Sequence, residues 1–260
     1  MLRDRTVAIA GVGPGLGREV AALALREGAR VVAGARNRER LLEIAAELDP
    51  DGGRILTHPL DVTDADSCAD FARAAFEHAG RLDALVHVAA LDALFGTLEN
   101  TSAEDWRRSF EVNVLGTVQM VRACVPHLRA TGGGAVVLVG SQSMWLPPRM
   151  PQIAYASAKG ALVSAMGHMV RELGPHRIRV NMVVPTWMWG PPVQAYVRWQ
   201  ARSRGISEQE VVAEITAQMP LGEIPADEDV AEAAVFLCSQ RARMITGETL
   251  MVNAGELVRI

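Results

Sequence analysis

A tyrosine and a lysine stand four residues apart in the segment YASAKG (155–160), and the chain has only two tyrosines. Residues at i and i+4 share one face of a helix, so the phenol of Tyr155 and the ammonium of Lys159 can meet there. Taken alone the pair is a weak signal, because a partly solvated helix face explains it more simply. Its meaning therefore depends on the other motifs of the chain.

Three glycines near the N-terminus form a GxxxGxG motif in AGVGPGLGREV, at Gly11, Gly15 and Gly17. One glycine permits a tight turn, another lets backbone approach a diphosphate, and the last lets a helix pack closely on a strand. The N-terminus of the helix that follows offers free N–H groups and the positive end of its dipole. Because the motif joins a strand-like run to a helical pattern, it predicts a dinucleotide site rather than a purely structural turn.

Short aliphatic runs alternate with helical patterns along the chain. The aliphatic runs cover residues 6–10, 30–35, 54–58, 82–88, 135–140, 178–184 and 249–253. The helical patterns cover residues 16–27, 38–48, 64–79, 103–130, 152–173 and 227–239. Most aliphatic runs are continuously apolar, which is typical of parallel strands buried on both faces. The order predicts an α/β fold, with a doubly wound parallel (Rossmann) sheet of about seven strands and helices on both faces. Such a sheet binds its ligand beyond the carboxyl ends of its strands.

One long stretch interrupts this alternation between the run ending at Val184 and the helical pattern starting at Asp227. It holds three of the five tryptophans. Long excursions of this kind are usually functional lids or disordered. We therefore expect residues 1–260 to form a single domain in which about residues 186–221 act as a substrate lid.

Composition excludes several classes of protein. Hydrophobic residues make up 49% of the 260 residues and the formal net charge is −4, which suits a soluble domain and offers no clustered basic face for nucleic acid. The three cysteines lack metal-ligand spacing and are expected to be buried thiols in a reducing compartment. We expect no signal peptide, no membrane span and a cytoplasmic location.

Taken together, GxxxGxG and YxxxK resemble the classical branch of the short-chain dehydrogenase/reductase family over nearly the whole chain. Further landmarks of that family follow in order, namely LDVTD (60–64), NVLG (113–116), VGS (139–141), RVNMVVP (179–185) and ITGETLMVNAGE (245–256). The resemblance implies that Tyr155 is the general acid/base and that Lys159 lowers the pKa of its phenol and holds the nicotinamide ribose. It also implies that Ser141 orients the substrate oxygen and that Asn113 anchors a water that relays protons to Lys159.

Two of these assignments leave alternatives open. The family's serine usually lies 13 residues before the tyrosine, where this chain has Gln142, so Ser141 is favoured over Ser143 only by aligning the strand. Ser143 is otherwise a loop serine that bonds its own backbone. Asn113 in turn could simply bond the backbone of a neighbouring strand.

The resemblance also implies a set of cofactor-binding residues: Gly11, Gly15, Leu16, Gly17, Arg36, Asp61, Val62, Ala89, Tyr155, Lys159, Pro185 and Met188. At the end of the second strand, where an NAD enzyme places an acidic residue, this chain has Ala35 followed by Arg36. The guanidinium suits a 2′-phosphate, so NADP(H) is expected as the preferred cofactor and NAD(H) as the second choice. Asp61 is expected to accept from the adenine amine.

The chain departs from the family pattern in two places. The usual NNAG is replaced by His87, Val88, Ala89 and Ala90, where the imidazole either substitutes for a lost amide or is a core residue. After Pro185 the usual threonine is missing and Gly190 stands nearby. Backbone near Met188 is therefore the expected contact for the carboxamide.

The sequence thus predicts an NADP-dependent oxidoreductase that interconverts a secondary alcohol and a ketone. The alternatives are a dinucleotide-binding protein with little or no turnover, and an isomerase or dehydratase on the same scaffold. A group of methionines and tryptophans flanks the expected site and predicts a bulky apolar substrate: Met144, Trp145, Met150, Trp187, Met188 and Trp189. No metal is expected, and the resemblance implies a homotetramer, with a dimer as the fallback.

Overall fold

The aliphatic runs form one parallel sheet in the computed structural model, which describes residues 1–148 and 150–259. The strands are β1 (Thr6–Ala10), β2 (Arg30–Ala35), β3 (Ile55–Pro59), β4 (Ala84–His87), β5 (Gly134–Val139), β6 (Ile178–Pro185) and β7 (Thr249–Val252). Their order across the sheet is β3-β2-β1-β4-β5-β6-β7, and every pairing is parallel. The predicted doubly wound sheet is confirmed, with strand ends that differ from the prediction by one or two residues.

Helices cover both faces of this sheet. They are α1 (Leu16–Arg26), α2 (Arg38–Leu48), α3 (Ala65–Glu77), α4 (Ala103–Phe110), α5 (Gly116–Ala130), α6 (Ile153–Leu173), α7 (Pro191–Arg204), α8 (Glu208–Thr216) and α9 (Asp227–Cys238). Helices α1, α2 and α9 enclose one apolar core, and α3, α5 and α6 enclose the other. Adjacent strand residues alternate between the two cores, as Val136 and Val137 do, which is why the strands are apolar throughout.

The strand order reverses between β1 and β4, and this places a crevice at their carboxyl ends. Gly11 follows β1 there and Ala89 follows β4. A Cβ atom on residue 11 would lie 2.4 Å from the Ala89 nitrogen, and φ of Gly11 is 104°. Only glycine therefore fits at the mouth of the crevice.

The helical pattern predicted over 103–130 is divided in the structure. Between α4 and α5 the chain makes a π-helical turn over Glu111–Leu115. Asn113, in the middle of that turn, is fully buried and exchanges two hydrogen bonds with the backbone of Leu91, at 2.9 and 3.0 Å. Insertions of this kind are frequent at functional sites, and this one places the asparagine amide against the loop after β4.

The segment between β6 and α9 is largely helical, as α7 and α8. The two helices enclose a small apolar cluster of their own, built on Val197, Ala201 and Val211. Elsewhere, Cys68, Cys124 and Cys238 are buried free thiols, as expected. Within residues 1–148 and 150–259, every helix is too short or too polar to cross a bilayer.

Candidate active site

A cavity of about 1490 Å³ lies at the carboxyl ends of the strands. One end is lined by the glycine turn and the end of β2, and the other by α7 and α8. Of the predicted site residues, Gly11, Gly15, Leu16, Arg36, Asp61, Val62, Ala89, Ser141, Tyr155, Lys159, Pro185 and Met188 line it. Gly17 and Asn113 are not among the lining residues: Gly17 packs against Gly11, and the Asn113 amide is bonded to the backbone of Leu91.

The glycine turn has the shape that a dinucleotide requires. Gly15 adopts φ of 117°, which lets the chain enter α1 without a side chain obstructing the turn. A Cβ atom on Gly17 would lie 2.3 Å from the Gly11 carbonyl oxygen, so α1 packs directly on the turn. The N–H groups of Leu16 and Gly17, the first two of α1, have no backbone acceptor among the described residues and are available to an anion. The residues present therefore fit a diphosphate group.

Two arginines and an aspartate line the cavity where β2 ends. Arg36 and Arg40 are exposed there, and Asn37 between them caps α2 by accepting from the Arg40 amide at 3.0 Å. Asp61 accepts from the Thr63 amide and hydroxyl at 2.9 and 2.7 Å, and these bonds lower the pKa of its carboxyl. The Arg36 charge lowers that pKa further. This end of the cavity therefore carries two cations and one ionised carboxylate.

Tyr155 and Lys159 both come from the first two turns of α6. The Lys159 ammonium is buried and donates to the carbonyl of Val139 at 2.7 Å, while its nitrogen lies 5.7 Å from the centre of the Tyr155 ring. The predicted meeting of the two side chains on one helix face is thus present as a cation beside an aromatic ring. Among the described residues, no direct hydrogen bond joins the phenol to the ammonium.

The surroundings shift the pKa values of both groups. Desolvation raises the pKa of Tyr155, the Asp92 carboxylate raises it further, and a hydrogen bond with Ser141 opposes them. Burial lowers the pKa of Lys159 to about 8, against an opposite effect of Asp92. Lys159 is therefore largely protonated at neutral pH, and the free protein keeps Tyr155 as the neutral phenol.

The two candidate serines are in contact. Ser141 follows β5 after one intervening residue, Gly140, and its Oγ lies 2.9 Å from the Oγ of Ser143. Ser141 also accepts from the Ser143 amide at 3.3 Å and bonds to Tyr155. Both hydroxyls line the cavity, and Ser141 is the one of the two that lowers the pKa of Tyr155. Gln142, at the family's usual serine position, is instead buried and accepts from Asn253 Nδ2 at 2.6 Å.

His87, the first residue of the altered NNAG segment, ends β4 and is buried. Both of its ring nitrogens lack a hydrogen-bond partner among the described residues. Burial lowers the pKa of His87 to about 3, and the charge of Lys159 contributes to that shift. The register pairs His87 with Leu138, next to the Val139 carbonyl that holds the ammonium. The imidazole is therefore a neutral core residue beneath the site.

The predicted aromatic and methionine residues divide into two groups. Met150, Trp187 and Met188 line the cavity. Met144 and Trp145 instead pack against the core beneath α6. The exposed side chain of Trp189 lies outside the cavity lining. The structure adds further apolar lining that the sequence pattern did not single out: Phe95, Leu146, Val193, Tyr196, Trp199, Val211 and Ile215.

Sequence reasoning missed six charged residues of the cavity: Arg40, Asp92, Arg204, Glu214, Asp227 and Glu256. The run RNRER (36–40) contained a signal for Arg40. This residue lies in the first turn of α2, four positions after Arg36, and that spacing places both side chains on the same side. Asp227 resembles an ordinary acidic residue at a helix start, and Asp92 lies in a loop without a pattern. Only the tertiary structure brings the two aspartates to the site.

The chain is similar to known oxidoreductases over almost its full length. The family model described as enoyl-(acyl carrier protein) reductase matches residues 11–256. An L-rhamnose 1-dehydrogenase (NAD(P)(+)) of Azotobacter vinelandii is 31% identical, over 100% of this chain and 99% of the relative. A 2,5-dichloro-2,5-cyclohexadiene-1,4-diol dehydrogenase of Sphingobium indicum is 31% identical, over 98% and 96%. A solved short-chain type dehydrogenase/reductase from Mycobacterium ulcerans superimposes with a TM-score of 0.89 at 30% identity, covering 98% of this chain and 90% of that one.

Proposed function

Because the chain belongs to the short-chain dehydrogenase/reductase family, and is therefore an oxidoreductase of the NAD(P)(H)-using kind, we propose that it interconverts a secondary alcohol and a ketone with NADP(H). One observation carries the proposal. The Tyr155 hydroxyl, bonded to Ser141, lies in the same cavity as the glycine turn, with the ammonium of Lys159 behind it. A proton donor, a hydroxyl that can bond the substrate oxygen and a glycine turn that fits a diphosphate therefore line the same cavity.

In the direction of ketone reduction, Tyr155 donates its proton to the carbonyl oxygen of the substrate. Ser141 holds that oxygen by a hydrogen bond. This bond replaces the interactions that the Ser141 hydroxyl makes with Ser143 and Tyr155 in the free protein. A nicotinamide cofactor, when bound at the glycine turn, would provide the hydride for the carbonyl carbon, or take it up in the opposite direction. Tyr155 and Ser141 are the catalytic residues of this proposal because both touch the reacting oxygen.

Lys159 stabilises the phenolate that Tyr155 becomes after proton transfer. A cation close to a phenol favours its ionised form and offsets the desolvation that raises its pKa. The bond to Val139 keeps the ammonium in place, and Asp92 favours its charged form. Asn113 contributes by position: its side-chain bonds to Leu91 hold the loop that follows β4. A water relay at Asn113 stays a prediction.

The preference for NADP(H) is supported by the end of β2. Ala35 offers no carboxylate to a ribose 2′-hydroxyl, and Arg36 and Arg40 both reach the cavity beside it. Planar guanidinium groups bind a phosphate through several charge-assisted hydrogen bonds. Asp61 stands in the same region, where it suits the adenine amine that the sequence assigns to it.

A bulky, largely apolar substrate is supported by the other end of the cavity. The rings of Trp187 and Tyr196 lie 5.1 Å apart, and the ring of Trp199 lies 6.1 Å from that of Tyr196. These rings come from the proposed lid, residues 186–221, and line the cavity together with Phe95 and Met150. The relative that acts on a substituted cyclohexadienediol is consistent with a cyclic alcohol. We propose a cyclic ketone or alcohol as the substrate class.

The experiment is a turnover screen that follows the absorbance of the reduced nicotinamide with cyclic, aryl, acyclic and polyol substrates, each with NADPH or NADP⁺. Turnover that is highest with cyclic compounds is the expected result. Tight cofactor binding with no turnover on any compound would favour the alternative of a dinucleotide-binding protein. A preference for small polyols would retain the reaction class and reject the substrate class.

A further inference from the structure

The first residue of α9 turns a buried carboxylate toward the cavity. Asp227 is only 7% exposed, and within residues 1–148 and 150–259 its side chain has neither a hydrogen-bond donor nor an ion-pair partner. A buried charge without a partner is costly, so an unpaired aspartate of this kind calls for an explanation. The predicted cofactor contacts did not include it.

Two glycines lie close to this carboxylate. A Cβ atom on Gly190 would lie 2.3 Å from Oδ2 of Asp227, and one on Gly15 would lie 3.3 Å from the same oxygen. The carboxylate therefore fills the space that a side chain at residue 190 would need, which accounts for the glycine there. It lies between the segment after β6 and the glycine turn.

No cation neutralises Asp227 from the elements packed around it. The glycine turn, residues 11–16, and the segment 186–190 contain no charged side chain. Glu228 on α9 and Glu19 on α1 are both negative, and Arg18 of α1 is already paired with Glu19 and Glu47. Burial, with Glu228 and Glu19, raises the pKa of Asp227 to about 6. The group therefore titrates near neutral pH before any ligand is present.

A diphosphate at the glycine turn would add two negative charges next to this carboxyl. We infer that Asp227 takes up a proton from solvent when a dinucleotide binds, and that its carboxyl then donates a hydrogen bond toward the diphosphate. This inference rests on the proposed function only in requiring a dinucleotide at the turn. Cofactor affinity is then coupled to pH, because deprotonated Asp227 repels the ligand that the protonated form binds.

The test measures dissociation constants for NADH and ADP-ribose between about pH 6 and 8 by titration calorimetry, together with proton uptake in buffers of different ionisation enthalpy. NADH is used because it lacks the 2′-phosphate, which titrates in the same range. ADP-ribose carries the diphosphate but no carboxamide. The test variant is Asp227→Asn. The control variant is Glu228→Gln, which also removes one negative charge but on the exposed face of α9.

We expect wild-type affinity for both ligands to fall at least about fivefold from pH 6 to pH 8, with proton uptake on binding. Asp227→Asn should bind more tightly than wild type at pH 8 and lose most of the pH dependence. Glu228→Gln should keep a pH dependence, displaced to lower pH because Glu228 helps to raise the pKa of Asp227. Unchanged pH dependence in Asp227→Asn would overturn the inference and leave the proposed function intact. Weaker NADH binding by this variant with unchanged ADP-ribose binding would also overturn it, since Asp227 would then accept from the carboxamide. Failure of wild type to bind NADPH as well as these two ligands would instead overturn the proposed function.

Discussion

The ammonium of Lys159 donates to the carbonyl of Val139 at 2.7 Å, so the last residue of β5 holds the cation beside the Tyr155 ring. Strand β5 thus positions the cation through Val139. It also positions the hydroxyl of Ser141, which follows the strand after Gly140. The geometry of the site therefore depends on the packing of α6 against the sheet as well as on the YxxxK spacing.

Replacing Tyr155 by phenylalanine removes the proton donor and leaves the ring in place. We expect the rate of Tyr155→Phe to fall at least about 10²-fold, the usual contribution of a positioned acid or base. The dissociation constant for NADPH should change little, because the phenol hydroxyl is not part of the glycine turn. Steady-state kinetics and fluorescence titration measure the two quantities. Near-normal turnover would reject Tyr155 as the acid/base.

The two serines can be separated by matched substitutions. Ser141→Ala removes the hydroxyl that bonds to Tyr155, whereas Ser143→Ala removes one that reaches only Ser141. We expect kcat to drop about 10- to 100-fold for Ser141→Ala and no more than about threefold for Ser143→Ala. Equal losses would show that the pair acts as a unit. The reverse order would assign the substrate oxygen to Ser143.

The cofactor preference is tested at Arg36, with Arg38 as the control. Both side chains are exposed and close in sequence, but only Arg36 lines the cavity. Arg36→Ala should lose about 1.5–3 kcal/mol in kcat/KM with NADPH, as expected for a charge-assisted contact, and little with NADH. Arg38→Ala should leave the ratio of the two cofactors unchanged. Equal use of both cofactors by the wild-type protein would refute the NADP(H) assignment.

The buried imidazole of His87 predicts a loss of stability in acid. Its pKa is lowered from 6.5 to about 3, so between these values the unfolded chain binds a proton that the folded one does not. Stability is therefore lost as pH falls below 6.5, by about 2 kcal/mol between pH 7.5 and pH 5. In urea unfolding, His87→Leu should remove most of this loss, and the exposed control His176→Asn should keep it. An unchanged acid loss in His87→Leu would show that other groups cause it.

Assembly stays a prediction that light scattering can test. Relatives of this family are typically oligomeric, and Leu115, between α4 and α5, is 50% exposed. Helix α4 packs against α6, and the family resemblance implies that the helices over residues 103–130 and 152–173 pack across a two-fold axis. We expect a homotetramer at micromolar concentration, with a dimer as the fallback. A monomer under these conditions would contradict the prediction.

The sequence alone determined the sheet, the glycine turn and the Tyr155–Lys159 pair. These depend on local patterns: continuous apolar runs for strands buried on both faces, glycines where φ is positive, and a four-residue spacing on a helix. The same information led to Arg36, because the end of β2 must reach the same edge of the sheet as the glycine turn.

Tertiary structure alone decided the remaining features of the site. The choice of Ser141 over Ser143, which the strand alignment favours, stays a prediction. The π-helical turn at Asn113 depends on a loop 22 residues away in sequence. Asp92 and Asp227 enter the cavity because distant loops converge there, and their pKa effects arise from burial and from charges that are remote in sequence. Desolvation and electrostatic repulsion depend on distances in space, which a linear pattern does not contain.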